Sequence, residues 1–320
     1  MGFQRNINDN PAVAVKGDFA DANVRATVIA GPLGFVAASS AELVHGTAVD
    51  RRPIVGNFAW GDQVSLKAFA RFFGETTAKL GFVHREGQAV IVPFLAEAEM
   101  YLEPGLQTTL MNQGGFWGQF DAGATVGQKV FANYLDGSVY AANAGTSTQT
   151  VSAMTGAIVG ATGVLTVASL TGTLHVGDVL SGTPITEPVA VVAQLSGTIG
   201  GIGTYLTTAV TNVADVTGTT ANSGIETDFF VDSTAKVDAA FTADLATTGV
   251  LTVSAVATGA LDAGQRVSAT GMPNGVKIVA QLTGSAGSTG TYQTNLVGLV
   301  LTSRAMVGSN GHLAKISTWS

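Results

Sequence analysis

The 320-residue sequence predicts an all-β protein with minimal helix, built from a β-rich body and two duplicated small modules of β-barrel or sandwich type. Three observations predict it. Glycine fills 41 positions, threonine, alanine and valine much of the rest, and charged residues only 12% of the chain. That is the composition of strands and tight turns, with too much apolar content for disorder. A stretch of about 64 residues occurs twice, and a period of this kind marks a repeated structural unit. Outside the repeat, apolar residues come in short runs cut by Gly, Pro, Asn and Asp at turn spacing.

Residues 11–19 read as an extended arm followed by a turn, with little core of their own, of the kind that orders against a neighbour. Residues 24–29 and 55–60 read as strands. In 65–73, Leu66, Phe69 and Phe73 recur at helical spacing and Gly74 follows as a stop, so this segment predicts a short helix. Residues 82–93 predict strand, turn and strand, and 96–102 and 108–110 continue the β pattern around a Pro104-Gly105 turn. Residues 130–135 and 138–141 flank Asp136-Gly137, which predicts a hairpin with a two-residue type I′ loop. The small polar residues 143–150 form a linker.

In the repeat, Gly163-Val164-Leu165-Thr166-Val167 returns as Gly249-Val250-Leu251-Thr252-Val253, and Gly203-Thr204-Tyr205 returns as Gly290-Thr291-Tyr292. The offset is 87 at Met154/Phe241, 86 at Gly163/Gly249 and 87 again from Gly177/Gly264. Single residues are therefore lost and regained in turns while the strands keep register. The copies span 153–217 and 240–303, and the first predicts strands near 154–158, 163–169, 178–182, 189–195 and 203–208. A module this small buries only ~60% of its unfolded surface and leans on the body, its twin or another subunit. Residues 224–233 have no counterpart in either copy. An Asn310-Gly311 turn leads into a last strand, 313–319.

Net charge is −7, and residues 1–150 hold ten of the fifteen Lys and Arg. No basic block is long enough to follow a phosphate backbone, which argues against nucleic-acid binding. No apolar run approaches the ~18 residues of a membrane helix, and the polar start carries no signal peptide, so the chain reads as soluble without a membrane partner. The absence of cysteine excludes disulfides and thiolate metal sites.

Few residues invite chemistry. Glu97 and Glu99 would share a strand face, as paired carboxylates do in glycosidases, but a solvated face explains them. His84, Arg85 and Glu86 are consecutive, so in a strand they do not all converge. His45, His84, His175 and His312 lack ligand spacing, and no metal or cofactor is expected. Residues 197–203 are glycine-rich without the lysine and helix of a phosphate loop, which leaves turn formation. Tyr205, Tyr292, Trp60, Trp117 and Trp319 fit core or interface packing better than sugar stacking. The sequence offers no nucleophile, base and oxyanion set.

Gly2-Phe3-Gln4, Pro11-Ala12-Val13-Ala14-Val15-Lys16-Gly17-Asp18-Phe19-Ala20, Phe58-Ala59-Trp60, Gly81-Phe82-Val83-His84-Arg85-Glu86, Leu95-Ala96-Glu97-Ala98, residues 124–132 and the closing Lys315-Ile316-Ser317-Thr318-Trp319 together resemble the structural cement, or capsid decoration, proteins of tailed bacteriophages. The repeats resemble Gly/Thr-rich β modules of phage structural proteins. In the cement family a segment similar to 226–231 shortly precedes a strand similar to 313–319. This implies a discontinuous body, 1–152 with 218–239 and 304–320, into which both modules (153–217 and 240–303) are inserted. Residues 61–80 depart from the family pattern. The resemblance implies a non-enzymatic virion protein, made in the bacterial cytoplasm and placed on the outer capsid surface. Its partners would be the major capsid protein and itself, as a homotrimer suited to threefold junctions. Phe3, Pro11, Val13, Val15, Phe19, Phe82, Arg85 and Trp117 are the candidate partner contacts. The other reading is a fibre-like adhesin whose modules bind host-surface glycan.

Overall fold

Two sheets that share one core build the body. In the computed structural model, which describes residues 14–31, 34–86, 100–120, 122–235, 237–272, 276–309 and 313–319, strands dominate and no helix is present among those residues. The first sheet runs in the order Ala26–Thr27, Leu110–Gln113, Ala78–Val83, Phe58–Asp62, Lys67–Phe69, Phe35–Ala37, Gln107–Thr108. The second runs Gly115–Gln119, Leu313–Ser317, Gly224–Val231, Lys129–Asn133, Val139–Ala142, so its members come from three separate parts of the chain. Phe58, Phe82 and Met111 of the first sheet meet Phe116, Val130, Phe229 and Ile316 of the second in one buried cluster. The Phe82 ring lies 4.9 Å from Phe116 and the Phe58 ring 5.6 Å from Phe229. Phe35, Val55, Ala59, Val83 and Leu110 form another cluster, so Phe58–Asp62 is buried at all five positions. A strand covered on both faces loses the alternation of a half-buried one.

The helix expected at 65–73 is not formed. The Asp62 carboxylate accepts hydrogen bonds from the Val64 and Ser65 amides at 3.1 and 3.0 Å and from the Thr77 hydroxyl at 2.7 Å. Leu66 takes a left-handed φ of 56°, the chain turns back, and Lys67–Phe69 pairs with Phe58–Asp62 with Phe69 opposite Trp60. An aspartate that binds its own downstream amides favours a turn over a helix. Burial opposes the Asp62 charge, yet the hydrogen bonds from Ser65, Thr77 and Val64 outweigh it and hold the carboxyl down to about 2. A folded-state value below the ordinary one adds stability at neutral pH that drains away as pH falls through 3.8 towards 2. Asp62→Asn is expected to lose roughly 1–2 kcal/mol in urea titrations at pH 7, with the gap narrowing below pH 4 and closing only as pH falls to about 2 and below. A gap that stayed constant with pH would refute this account.

The 24–29 strand is paired only at Ala26–Thr27, and the 55–60 strand starts at Phe58. The strand begun at 82 is the end of Ala78–Val83, while 87–99, including Glu97 and Glu99, lie outside the described residues. The Asn310-Gly311 turn also lies outside them. The hairpin forms, with Val130 opposite Ala141, but its loop is longer than two residues. Asn133 and Ser138 still bond to each other, and the Gly137 amide returns to the Asn133 carbonyl at 2.9 Å. Asn133 and Asp136 side chains cap the Leu135 and Ser138 amides, which stabilises the wider turn.

Each repeat folds into the same unit. Gln149–Val159, Val164–Gly172, Gly203–Thr207, Ile185–Gly197, Val179–Gly182 and Thr220–Asn222 close a barrel. Ala239–Leu245, Val250–Thr258, Gly290–Thr294, Ile278–Gly284, Arg266–Ser268 and Leu301–Ser309 follow the same order, and a bridge from Arg266 to Lys277 brings the two ends of that sheet together. Register is kept: Leu165 faces Tyr205 as Leu251 faces Tyr292, and Leu180 faces Ala221 as Val267 faces Gly308. Tyr205 and Tyr292 are fully buried, and their hydroxyls donate to Gly201 and Ser288 carbonyls at 2.6 and 2.5 Å. The glycine-rich loop 197–203 is a turn held by Gln194, whose amide donates to Ser196 and Thr198 carbonyls; Gln281 repeats this on Thr283 and Ser285. The strands of both units reach beyond the matched stretches, because Thr220–Asn222 and Leu301–Ser309 complete them.

The first barrel is tied to the body. Val192, Leu206 and Ala193 pack with Val44, Val49 and Phe73. The Arg71 guanidinium donates to Val191 and Val192 carbonyls at 3.1 and 2.7 Å, and His45 Nε2 lies 2.9 Å from the Ala209 carbonyl. Behind this joint Arg51, 4% exposed, sits 3.9 and 4.0 Å from the Phe69 and Phe73 ring centres. It pairs with Glu42 at 3.0 Å and Glu75 at 2.5 Å. The buried cluster of the second barrel contains residues of that barrel alone.

Candidate contact surface

The arm adds an edge to the second body sheet. The Gly17 amide donates to the Trp117 carbonyl at 2.8 Å, the Trp117 amide to Asp18 at 2.9 Å, and the Ala20 amide to Gly115 at 2.9 Å. On its other side the Arg85 amide donates to the Gly17 carbonyl at 2.8 Å. Gly17 adopts φ +89°, and a Cβ there would stand 2.7 Å from a Val55 methyl, so glycine is what lets the arm lie this close. The Asp18 carboxylate accepts from the Val15 amide at 3.0 Å and from Arg85 at 3.2 Å, which fixes the turn against the body.

Aromatic rings cluster where the arm crosses. Phe19, 38% exposed, lies 4.9 Å from the His84 ring and 5.5 Å from Phe116, with the Arg25 guanidinium 3.7 Å from its centre. Half-buried Trp117 stands opposite Lys315 on the neighbouring strand, and Lys315 pairs with Asp21 at 3.0 Å. Trp319, 45% exposed, follows that strand. His84 Nε2 lies 2.9 Å from Glu86, whereas Arg85 turns to Asp18, so the consecutive trio divides between two sides. Burial lowers the His84 pKa, Glu86 works against that shift, and Arg25 adds to it. The surface thus offers aromatic area among charges that are mostly paired, the composition of a protein contact.

Of the predicted contact residues, Val15, Phe19, Arg85 and Trp117 come together here. Phe82 does not: its side chain has no exposed area and belongs to the core between the sheets. Phe3, Pro11 and Val13 lie outside the described residues. Arg25 and Lys315 were missed, and Trp319 was expected to pack in a core or interface without a stated place, because only the pairing of Gly115–Gln119 with Leu313–Ser317 brings the end of the chain beside Trp117. Among the described residues no group of three His, Asp or Glu is placed to hold a metal ion. His45 contacts a carbonyl and His175 lies 3.5 Å from Asp178, each away from the arm; His312 lies outside the described residues. No helix among the described residues is long and apolar enough to cross a membrane.

A family model described as XM1 gp53 minor capsid protein matches residues 3–176, more than half of the chain. No curated protein and no solved structure matches it.

Proposed function

The chain belongs to the XM1 gp53 minor capsid protein family, a phage family, and from that premise of a structural protein of the virion we propose that it is a cement. In this reading it lies on the outer face of the assembled head as a homotrimer and binds the major capsid protein across seams between neighbouring subunits. The two body sheets make the contact, and the two modules, whose strands run 149–222 and 239–309, project from them. The observation that carries the reading is the arm-and-aromatic surface of Phe19, Arg85, Trp117 and Trp319, where exposed rings and paired charges from the arm and the end of the chain come together. Support for the discontinuous body comes from the sheet in which Gly224–Val231 and Leu313–Ser317 lie between Gly115–Gln119 and Lys129–Asn133.

The work done is mechanical. Each site of standard size covers about 1,600 Å², and many such sites must be peeled before a shell can expand, so modest contacts suffice. Nothing on the modules favours the glycan reading, since their aromatic residues, Tyr205, Phe241 and Tyr292, are buried and leave no ring for a sugar to stack on.

Purified protein added to undecorated heads is expected to appear as extra density over coat-subunit junctions in electron micrographs. Trp117→Ala with Arg85→Glu is expected to lower occupancy roughly tenfold or more. Absence of density, or occupancy indifferent to both substitutions, would remove the basis of the reading.

A further inference from the structure

The two barrels are one module in different company, and they differ most on one face. Val179 and Ala190, cross-strand partners on the outside of the first barrel, are buried, as are Val192 and Leu206. Their register equivalents are Arg266, Lys277, Val279 and Gln293, of which the first three are exposed. Arg266 and Lys277 therefore stand opposite each other on adjacent strands, and neither makes an ion pair with a described carboxylate. Like charges so placed destabilise a sheet unless an anion from elsewhere lies against them. On the same barrel Val279, two residues beyond Lys277, and Val297 and Val300 are 56%, 69% and 58% exposed.

A surface of opposite sign borders the first barrel. A groove of about 780 Å³ between that barrel and the body is lined by no lysine or arginine and by three carboxylates, of which Asp62 is held by its own turn and Glu75 by Arg51, so that exposed Glu187 carries the charge open to a partner. Val64 and Val210, 78% and 79% exposed, also line it. The first barrel, from Gln149 to Asn222, contains neither lysine nor arginine.

We propose that the Arg266–Lys277 face of the second barrel seats in this groove of a second copy of the chain, cations towards Glu187 and valines against Val64 and Val210. Charge and apolar complementarity match the two surfaces, and the buried twin of the face already covers a surface of this same protein. Because face and groove are different surfaces, the contact is head-to-tail, and such contacts close into rings when the rotation per copy allows. The inference rests on the oligomer part of the proposed function and supplies its surface.

Light scattering on the full chain tests it. Wild type is expected to be oligomeric, and Arg266→Glu/Lys277→Glu and Glu187→Arg/Val210→Arg are each expected to weaken association at least tenfold, towards monomer. All four positions are exposed, so these variants should fold, which circular dichroism verifies. Mixing the two variants is expected to restore association, since one intact face meets one intact groove and the reversed charges of the other pair are complementary. Oligomers that persist in both variants overturn the assigned surface and leave the oligomer reading standing. A monomeric wild type overturns both. If the face variant of such a monomer also loses binding to heads, the coat protein occupies the face and the second copy does not.

Discussion

Replacing Arg51 with alanine is expected to cost about 3–5 kcal/mol, the largest effect of any single surface-to-core charge in the body. The guanidinium is held between two phenylalanine rings and satisfies Glu42 and Glu75, and its Nε also donates to the Arg71 carbonyl at 3.0 Å. Without it two carboxylates face each other beside apolar rings. The loss should propagate: the Arg71 backbone is released, and Arg71 is the residue that grips the first barrel. Urea unfolding by fluorescence and by far-ultraviolet dichroism measures it. A loss below about 1 kcal/mol would mean that the pairs are solvent-screened and contribute like surface ones.

The second large effect is an asymmetry between two excisions. Removing 239–309 and joining the flanks is expected to leave the remainder folded, with a melting temperature within a few degrees of wild type, because among the described residues no buried cluster spans that junction. Removing 149–222 is expected to expose Val44, Val49 and Phe73 and to strip Arg71 of its carbonyl acceptors. Each large apolar side chain so uncovered is worth about 1.5–3 kcal/mol, enough together to unfold a marginal body. Dye binding and thermal melts of both proteins read the difference. Equal tolerance of the two excisions would show that the joint at Val192 and Leu206 contributes little.

Much of this architecture is written in the chain because it is written twice. The one-residue drift in the repeat falls between Ile158 and Leu165, the hairpin turn, where Leu245 and Leu251 are their counterparts, and the strands either side keep the same partners. The short helix was misread since Leu66, Phe69 and Phe73 share helical spacing by coincidence. Phe69 is a strand residue, Phe73 serves the barrel joint and Leu66 sits in a turn, so tertiary demands, absent from any local window, set all three. Phe82 was a candidate contact through the resemblance alone; the last three positions of Ala78–Val83 are all buried by cover on both faces. The arm was legible from its prolines, glycines and lack of core, whereas Trp319 and Lys315 reach it only through a pairing nearly two hundred residues apart, for which local sequence carries no signal.

The strands that lead into and out of the second barrel, Gly224–Val231 and Leu313–Ser317, are hydrogen-bonded neighbours, with Phe230 opposite Ser317 and the Asp232 amide on the Lys315 carbonyl at 2.8 Å. Adjacent strands lie about 4.8 Å apart, so the body presents two chain ends at nearly one point. Any passenger whose own termini lie close together can be spliced there without asking the sheet to move. The position is a natural insertion point for a folded module, which could be exchanged there while the two body sheets keep their pairing.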